Sequence, residues 1–452
     1  MTAAQPSNPA TLSNQTLSNE ALEKLRQHFN KAPYPRVPLD EYPNDRNALY
    51  VHSLTTAYYR RNHRVINPQG KVILDAGCGT GYKCLMLAEA NPGAKIIGLD
   101  LSEDSVALAR ERLAYHKVEN AEFYAMPIED LPSLGLQFDY INADDVLYLI
   151  PDPVVGLQAM AQVLQPDGIL RANFHSSLQR AAYFRGQQFF SALGLMDSAP
   201  DDQHIALVRQ TMNALKDGTK LKLYAWNPNF ETEDEHILAN HLLKGDKGWV
   251  LPEFFAALKA AGLEFISMVN WWQWDLVQLF KDVNELPLEI GLGLAEKSLE
   301  EQLHLFELLH PTHRLLDLYS GLPGSSQEQS LPDDWDCEQW QTVTVHLHPL
   351  LCNTVFQEGL ENSILAVQPL QLHHYLCFSN DPVAIDSGMA TCLLPLLEAP
   401  QSLADLVQSW CRVRPFNPVT LEPTDEQTAI DLVKALLIRL ESLGYILLDR
   451  PI

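Results

Sequence analysis

No apolar run in this sequence approaches the roughly 18–20 residues that a membrane-crossing helix requires, which argues against a membrane span. Basic residues are scarce: 32 Lys and Arg stand against 57 Asp and Glu, a formal charge of −25. Phosphate binding needs a concentrated basic surface, so a nucleic-acid partner is not expected. Arg60-Arg61 with Arg64 is a local basic patch, and the overall acidity suits cationic partners such as lysine-bearing proteins or amines. Cysteines are few, seven in 452 residues, odd in number and without a C-x-x-C pair. That pattern fits reduced thiols in a cytoplasm better than a disulfide framework. The first fifteen residues lack a basic region followed by an apolar one, so they read as a disordered tail rather than a signal peptide.

What is present is organised around Val72-Ile73-Leu74-Asp75-Ala76-Gly77-Cys78-Gly79-Thr80-Gly81. Apolar residues run into a glycine-rich turn and a helical pattern follows, the unit that opens a nucleotide-binding α/β sheet. About twenty residues on, Lys95-Ile96-Ile97-Gly98-Leu99 ends in Asp100, a carboxylate at the second strand tip that can accept both hydroxyls of an adenosine ribose. A nicotinamide site would more usually read G-x-G-x-x-G, whereas the sixth position here is Tyr82. A dinucleotide-binding dehydrogenase is therefore the minor alternative. Cys78 reads as a small packing residue and not as a nucleophile.

The sequence D-A-G-C-G-T-G followed by I-I-G-L-D-L-S resembles the class I S-adenosylmethionine-dependent methyltransferases. The resemblance implies a Rossmann-like, doubly wound, seven-stranded α/β sheet with S-adenosylmethionine as cofactor and S-adenosylhomocysteine as product. It implies that Asp75, Ala76 and the backbone of Gly77, Cys78, Gly79 and Gly81 hold the methionine part, Asp100 the ribose and Leu101 the adenine face. The family's third segment usually offers an Asp to the adenine amino group. Here Pro127 stands in its place, so a backbone contact from Ile128 and the carboxylate of Glu129 or Asp130 are its expected substitutes. Asn142 and Ala143, at the fourth strand end, complete the expected cofactor site with Tyr34.

Before the first strand, residues 18–30 read as a helix with Ser18 as N-cap and Leu22, Leu25 and Phe29 on one face. Pro33-Tyr34-Pro35-Arg36-Val37-Pro38 is a stiff, extended segment, either a strap over the core or a carrier of Tyr34 and Arg36 to the cofactor mouth. Residues 46–62 read as one helix, with Tyr58 and Tyr59 packing on the sheet or standing at the entrance. Strand–helix alternation then runs from 72 to 175. An insertion at 176–250 with its own helices interrupts it, a natural lid or acceptor-binding module. A helix at 252–262 and a strand at 263–269 resume it.

Beyond about 275 the alternation lapses and residues 285–320 look helical. Helices at 387–397, 402–411 and 424–443 and a short strand after Gly444 suggest a winged-helix-like unit, whose acidic last helix favours packing or homodimer formation over DNA reading. The division expected is 1–70 for a tail and helical lid, 71–275 for the cofactor-binding domain, 276–370 for a mainly helical middle region and 371–452 for the winged-helix-like part. Short matches at Pro33-Tyr34-Pro35, Asp145–Pro151 and Leu242–Leu263 resemble multidomain bacterial methyltransferases with a methyltransferase regulatory domain, which include lysine methyltransferases of outer-membrane proteins.

Methyl transfer from a sulfonium is an in-line displacement, so the protein must hold donor and nucleophile collinear, exclude water and, where needed, remove a proton. Asp144 and Tyr148 after the fourth strand and His175 after the fifth are the catalytic candidates, with Asp145 read as a cap for the next helix. An amine acceptor calls for an oxygen from Asp144 or Tyr148; a hydroxyl acceptor favours His175 as base. The acceptor stays open between a protein side chain, narrowly preferred, and a small metabolite. A cofactor-binding regulator without turnover is the non-enzymatic alternative. The pairs His310/His313, His346/His348 and His373-His374 read as ordinary histidines, and no metal is expected. Trp271-Trp272-Gln273-Trp274 reads as interdomain core.

Overall fold

The computed structural model describes residues 22–450 except 24, 28, 31–32, 199, 325–329, 377–381 and 417–419. Its centre is a seven-stranded sheet: β1 (Val72–Ala76), β2 (Lys95–Asp100), β3 (Ala121–Ala125), β4 (Phe138–Ala143), β5 (Leu164–His175), β6 (Glu264–Met268) and β7 (Leu315–Gly321). The spatial order is β3-β2-β1-β4-β5-β7-β6. β1 to β5 run parallel, and β7 lies antiparallel between β5 and β6. Parallel strands need helical crossovers that cover both faces, so β1, β2 and β4 carry nearly unbroken buried apolar runs. The strand order reverses at β1/β4, and ligands bind at such a switch point beyond the carboxyl ends of the strands.

Pairing register sets the site. Asp75 on β1 lies level with Gly98 on β2 and Asn142 on β4, so the glycine loop, Asp100 and residues 144–148 all emerge at one edge. Ser102 caps the helix Glu103–Tyr115 by accepting from the Ser105 N–H, with Glu103 and Asp104 at its positive end. The helix Pro153–Val163 is capped by Asp152, not by Asp145.

Several sequence expectations change. Residues 46–62 form two helices, Arg46–Val51 and Leu54–Asn62, because Asp45 caps the first while His52 and Ser53 break the run. Of the expected helix at 18–30, residues 22–23, 25–27 and 29–30 are helical, and Ser18 lies outside the described residues. The stretch 285–320 is helical only over Leu288–Ala295 and Leu299–Leu309; Leu315–Gly321 is β7. The sheet therefore runs on past 275 to Gly321. Leu316 and Leu318–Gly321 are buried, so period-2 alternation is absent and the segment looks like more helix.

The expected unit at 371–452 is not self-contained either. Its three-stranded sheet has Thr344–Leu347 in the middle, flanked by Gln401–Ser402 and Ile446–Asp449. Its core runs from Trp335 to Leu448 and includes Tyr50 from the N-terminal helices. A four-residue central strand is too short to announce itself by pattern. Tyr58 and Tyr59 are buried away from any entrance, and Tyr59 Oη donates to Glu441 Oε1 at 2.9 Å. The basic patch is consumed internally: Arg60 lies over Trp271 at 4.2 Å, Arg61 donates to the carbonyls of Asp167 and Gly168, and Arg64 pairs with Asp449. Trp271 and Trp272 pack on the C-terminal core and Trp274 belongs to the sheet core.

Arg171, buried on β5, makes a two-pronged pair with Asp317 on β7, its Nη2 reaching Oδ2 at 2.6 Å and Nε reaching Oδ1 at 3.1 Å. Removing one partner strands a buried charge, which typically costs about 3–5 kcal/mol. Asp317→Ala is expected to lower stability by about that amount in urea denaturation, with Asp317→Asn losing less.

Candidate active site at the carboxyl edge of the sheet

A cavity of about 480 Å³ opens at this edge. One side is lined by Gly77, Gly79, Asp100, Leu101, Pro127, Ile128 and Glu129; the other by Asp145, Tyr148, His175 and Arg314. Insertion residues including Tyr183, Phe230, Leu238 and Leu242 form a wall, and Leu22, Leu25, Phe29 and Tyr34 of the N-terminal segment also line it.

The glycine loop owes its shape to close backbone approaches. Gly77 has φ +81°, and a Cβ there would meet Val146 Cγ2 at 2.6 Å. Gly79 has φ +50°, and a Cβ would run into the carbonyl oxygen of Tyr34. The strap is tied to this loop: Thr80 donates its N–H to Tyr34 O at 3.1 Å and its hydroxyl to Pro35 O at 2.7 Å. Arg112 holds the next turn of the strap through the carbonyls of Val37 and Pro38. Arg36 pairs with Glu235 of the insertion at 3.3 Å, so the strap also touches the lid. The strap is thus both a cover and a carrier of Tyr34.

Asp100 accepts the N–H of Gly79 at 2.9 Å and of Ser102 at 2.8 Å, which locks the carboxylate beside the loop. Burial raises its pKa against those two N–H donors. Asp75 is behind the loop, accepting from Asn142 Nδ2 at 2.8 Å and Cys84 Sγ at 3.1 Å. Ala76, Cys78, Gly81, Asn142 and Ala143 do not line the cavity, and neither does Asp75. Asn142 and Asp75 form a buried support beneath the loop. Glu129 does reach the cavity wall, and its Oε2 is buried without a hydrogen-bond partner.

Of the two adjacent carboxylates, Asp145 lines the cavity and Asp144 does not. Asp144 is buried, with Lys83 Nζ at 2.6 Å from Oδ2 and Asn173 Nδ2 at 2.6 Å from Oδ1. Against the upward push of burial, Lys83 and Arg171 hold its carboxyl well below the ordinary range. It is a structural anion and not a pocket residue. Asp145, in a left-handed conformation (φ +59°), turns into the cavity instead. A non-glycine residue held there is a strained position of the kind that clusters at functional sites. Its backbone N–H is fixed by Asn173 Oδ1, and both carboxylate oxygens take bonds from Arg314, at 3.2 and 3.1 Å. Burial pushes its pKa up, but Lys83 and Arg314 bring it below the usual value.

His175 ends β5, and its ring stacks on Tyr148 with centroids 4.0 Å apart. Its Nδ1 is 2.6 Å from Asp246 Oδ1, and its Nε2 accepts from Arg314 Nη1 at 2.8 Å. Burial, and next the cations Arg180 and Arg314, depress its pKa against the support of Asp246. Burial, followed by Asp145, raises the Tyr148 pKa well above normal, so its phenol stays protonated.

Two of these residues were beyond sequence reasoning. Arg314 directly precedes β7, and only the antiparallel pairing of His175 with Leu315 brings it to this edge. Asp246 is 71 residues from His175; it arrives because the insertion returns to its root, with the Trp249 N–H donating to His175 O and the Ser177 N–H to Trp249 O. Among the described residues no group of three or more His, Cys, Asp or Glu gathers as a metal site, and no helix is long and apolar enough to cross a membrane.

The reversed seventh strand, the glycine loop and the carboxylate at the β2 tip define an S-adenosylmethionine-binding Rossmann-like fold. A family described as "Methyltransferase domain" matches residues 67–225. An uncharacterized protein of Synechococcus sp. is 33% identical over 195 residues, 43% of this chain and 46% of that protein. A ubiquinone biosynthesis O-methyltransferase of Bordetella avium is 34% identical over 116 residues, 25% of this chain and 44% of that enzyme. The chain thus spans about half the length of the curated relatives it matches. Among solved structures, PKMT2 from Rickettsia typhi in complex with AdoHcy has a TM-score of 0.59 at 17% identity, covering 92% of this chain and 77% of that one, a shared fold. The chain carries a class I S-adenosylmethionine-dependent methyltransferase domain.

Gly79→Val is expected to displace the strap, because the new side chain and the Tyr34 carbonyl claim the same space. Calorimetric affinity for S-adenosylhomocysteine should fall at least about tenfold, equivalent to about 1.4 kcal/mol; unchanged affinity would place the cofactor elsewhere.

Proposed function

We propose that the protein transfers the methyl group of S-adenosylmethionine to an amine, with a lysine side chain of a protein narrowly preferred over an amine of a small metabolite. The observation that carries this reading is that one cavity brings Gly77, Gly79 and Asp100 together with Asp145, Tyr148 and Tyr34. The residues fit the cofactor. Asp100 suits the ribose hydroxyls, Leu101 and Ile128 the adenine faces, and the unpartnered Glu129 Oε2 suits an amino group of the base. The bound sulfonium supplies an activated methyl group.

This chain's own residues do the rest. The strap and the insertion exclude water, while Tyr148 and Asp145 offer oxygens that orient an N–H. Tyr34, Tyr148, Tyr183 and Phe230 offer aromatic faces to a cationic acceptor. The charge of −25 favours encounter with lysine-rich partners. A hydroxyl acceptor of small size is the second reading, supported by the apolar wall of Phe29, Phe230, Leu238 and Leu242. A cytoplasmic location and homodimer formation through the last helix belong to the same proposal.

Methyl-labelled cofactor supplied with a protein extract and, separately, with its small-molecule fraction tests the reading. Label on lysine in the protein fraction is expected. Label confined to small molecules would replace the protein acceptor, and tight S-adenosylhomocysteine binding with no labelled product would replace the enzyme by a regulator. Glu129→Ala should weaken binding of S-adenosylhomocysteine about tenfold yet leave its 6-hydroxy (inosine) analogue nearly unchanged, since one hydrogen bond to a charged group contributes about 1.5–3 kcal/mol. Equal losses would remove Glu129 from the base-reading role.

A further inference from the structure

The insertion contributes a side chain that the strand-based site lacks. The side chain of Asp246 is buried, and its Oδ1 lies 2.6 Å from His175 Nδ1. Its other oxygen accepts from Arg180 Nη2 at 3.1 Å and Gln187 Nε2 at 2.8 Å. A carboxylate so placed fixes the imidazole as the Nδ1–H tautomer and stabilises the imidazolium when it forms. The lone pair is then on Nε2, and His175 lines the cavity. There Nε2 meets Nη1 of Arg314, a side chain 46% exposed, whose Nη1 also donates to Asp145 Oδ1 and whose Nη2 donates to Asp145 Oδ2. Moving Nη1 off the ring opens Nε2 to another donor, while the Nη2 bond to Asp145 Oδ2 does not involve His175.

We propose that His175 Nε2 takes the proton of the methyl acceptor and that Asp246 is the positioning residue that makes it able to do so. The inference rests on the amine reading above. An ammonium side chain entering beside Asp145 displaces Arg314 from Nε2. Its N–H bond breaks, the proton passes to Nε2, and the electron pair stays on nitrogen. That nitrogen attacks the methyl carbon while the carbon–sulfur pair leaves with sulfur. The imidazolium, bridged to Asp246, later gives its proton to water. Departure of the Arg314 cation from Nε2 also raises the basicity of the ring, so acceptor entry and proton uptake are linked. The charged and titratable groups facing the ring are Asp246 and Arg180 from the insertion, Arg314 before β7, and Asp145 and Tyr148 after β4. The insertion is thereby part of the reaction centre and more than a lid.

The test uses the full chain labelled with ¹⁵N-histidine, with S-adenosylhomocysteine bound for spectroscopy, and poly-L-lysine as the acceptor probe for kinetics. Nitrogen–proton correlation spectra, assigned with His175→Gln, are expected to show neutral His175 protonated on Nδ1 at neutral pH. Asp246→Asn should lower kcat about a hundredfold, within the range general base catalysis contributes, with KM for poly-L-lysine changed less than about twofold. It should also move the acidic limb of the kcat profile to lower pH, because losing the carboxylate destabilises the imidazolium. His175→Gln should abolish that limb. An Nε2–H tautomer in the wild type overturns the inference without reference to any acceptor. So does an Asp246→Asn protein that binds S-adenosylhomocysteine normally and keeps the wild-type kcat and pH profile. Absence of transfer to any amine by the wild type, with the Nδ1–H signature present, counts against the amine reading while supporting the tautomer assignment.

Discussion

A guanidinium buried in the middle of the sheet is the constraint on which the rest of the molecule depends. Arg171 is 4% exposed, and a charge withdrawn from water must be matched on every side. Asp317 takes two of its edges, Asn142 Oδ1 accepts at 3.2 Å, and His52 and Asp144 stand at its remaining side. Each of those partners has a second duty. Asn142 donates to Asp75 under the glycine loop, and Asp144 anchors Lys83 of the helix that the loop opens. Asp317 ties down the strand that starts at Arg314. One cation therefore sets the spacing of β4, β5 and β7 and, through them, both halves of the cavity.

The N-terminal helices join that centre to the C-terminal region. Leu54, Ala57 and Tyr58 pack into the sheet's core, while Tyr50 belongs to the core of the C-terminal region. Thr56 meets His348 at 3.0 Å, and Tyr59 bonds Glu441 and accepts the N–H of Leu448. A helix pair with two buried faces leaves little room for independent movement of the parts it joins, because breaking either contact exposes apolar surface and unpaired polar groups. The C-terminal region is then a brace for the elements that carry the strap, and the strap closes on the glycine loop.

At the cavity, chain direction matters as much as residue type. A seventh strand running against the others starts at the edge where the parallel strands end. That reversal delivers Arg314 next to His175 and opposite Asp145. The insertion, rooted by the pairing of Ser176 with Trp249, delivers Asp246 to the other nitrogen of the same ring. Histidine, carboxylate, arginine and carboxylate thus come from four separate stretches of chain.

The local chemistry of the chain alone determined the strand–turn–helix unit at 72–90, the acid at the β2 tip and the α/β alternation through β5. In those stretches hydrophobic runs, glycines and caps act over a few residues, so their meaning does not depend on distant partners. The place of Glu129 at the cavity wall was legible for the same reason, since it lies in the turn that follows β3. The roles of Asp144 and Asp145 were not: adjacent carboxylates differ only in which way a strained backbone turns them. Nor were β7, buried through most of its length, and the strand at 344–347, whose alternation is too short to stand out. Arg314, Asp246 and the Arg171 network exist as a site only after strands separated by more than a hundred residues have paired. Pairing over that distance is decided by the cost of leaving charge and backbone unmatched in the interior, a quantity that no local window contains.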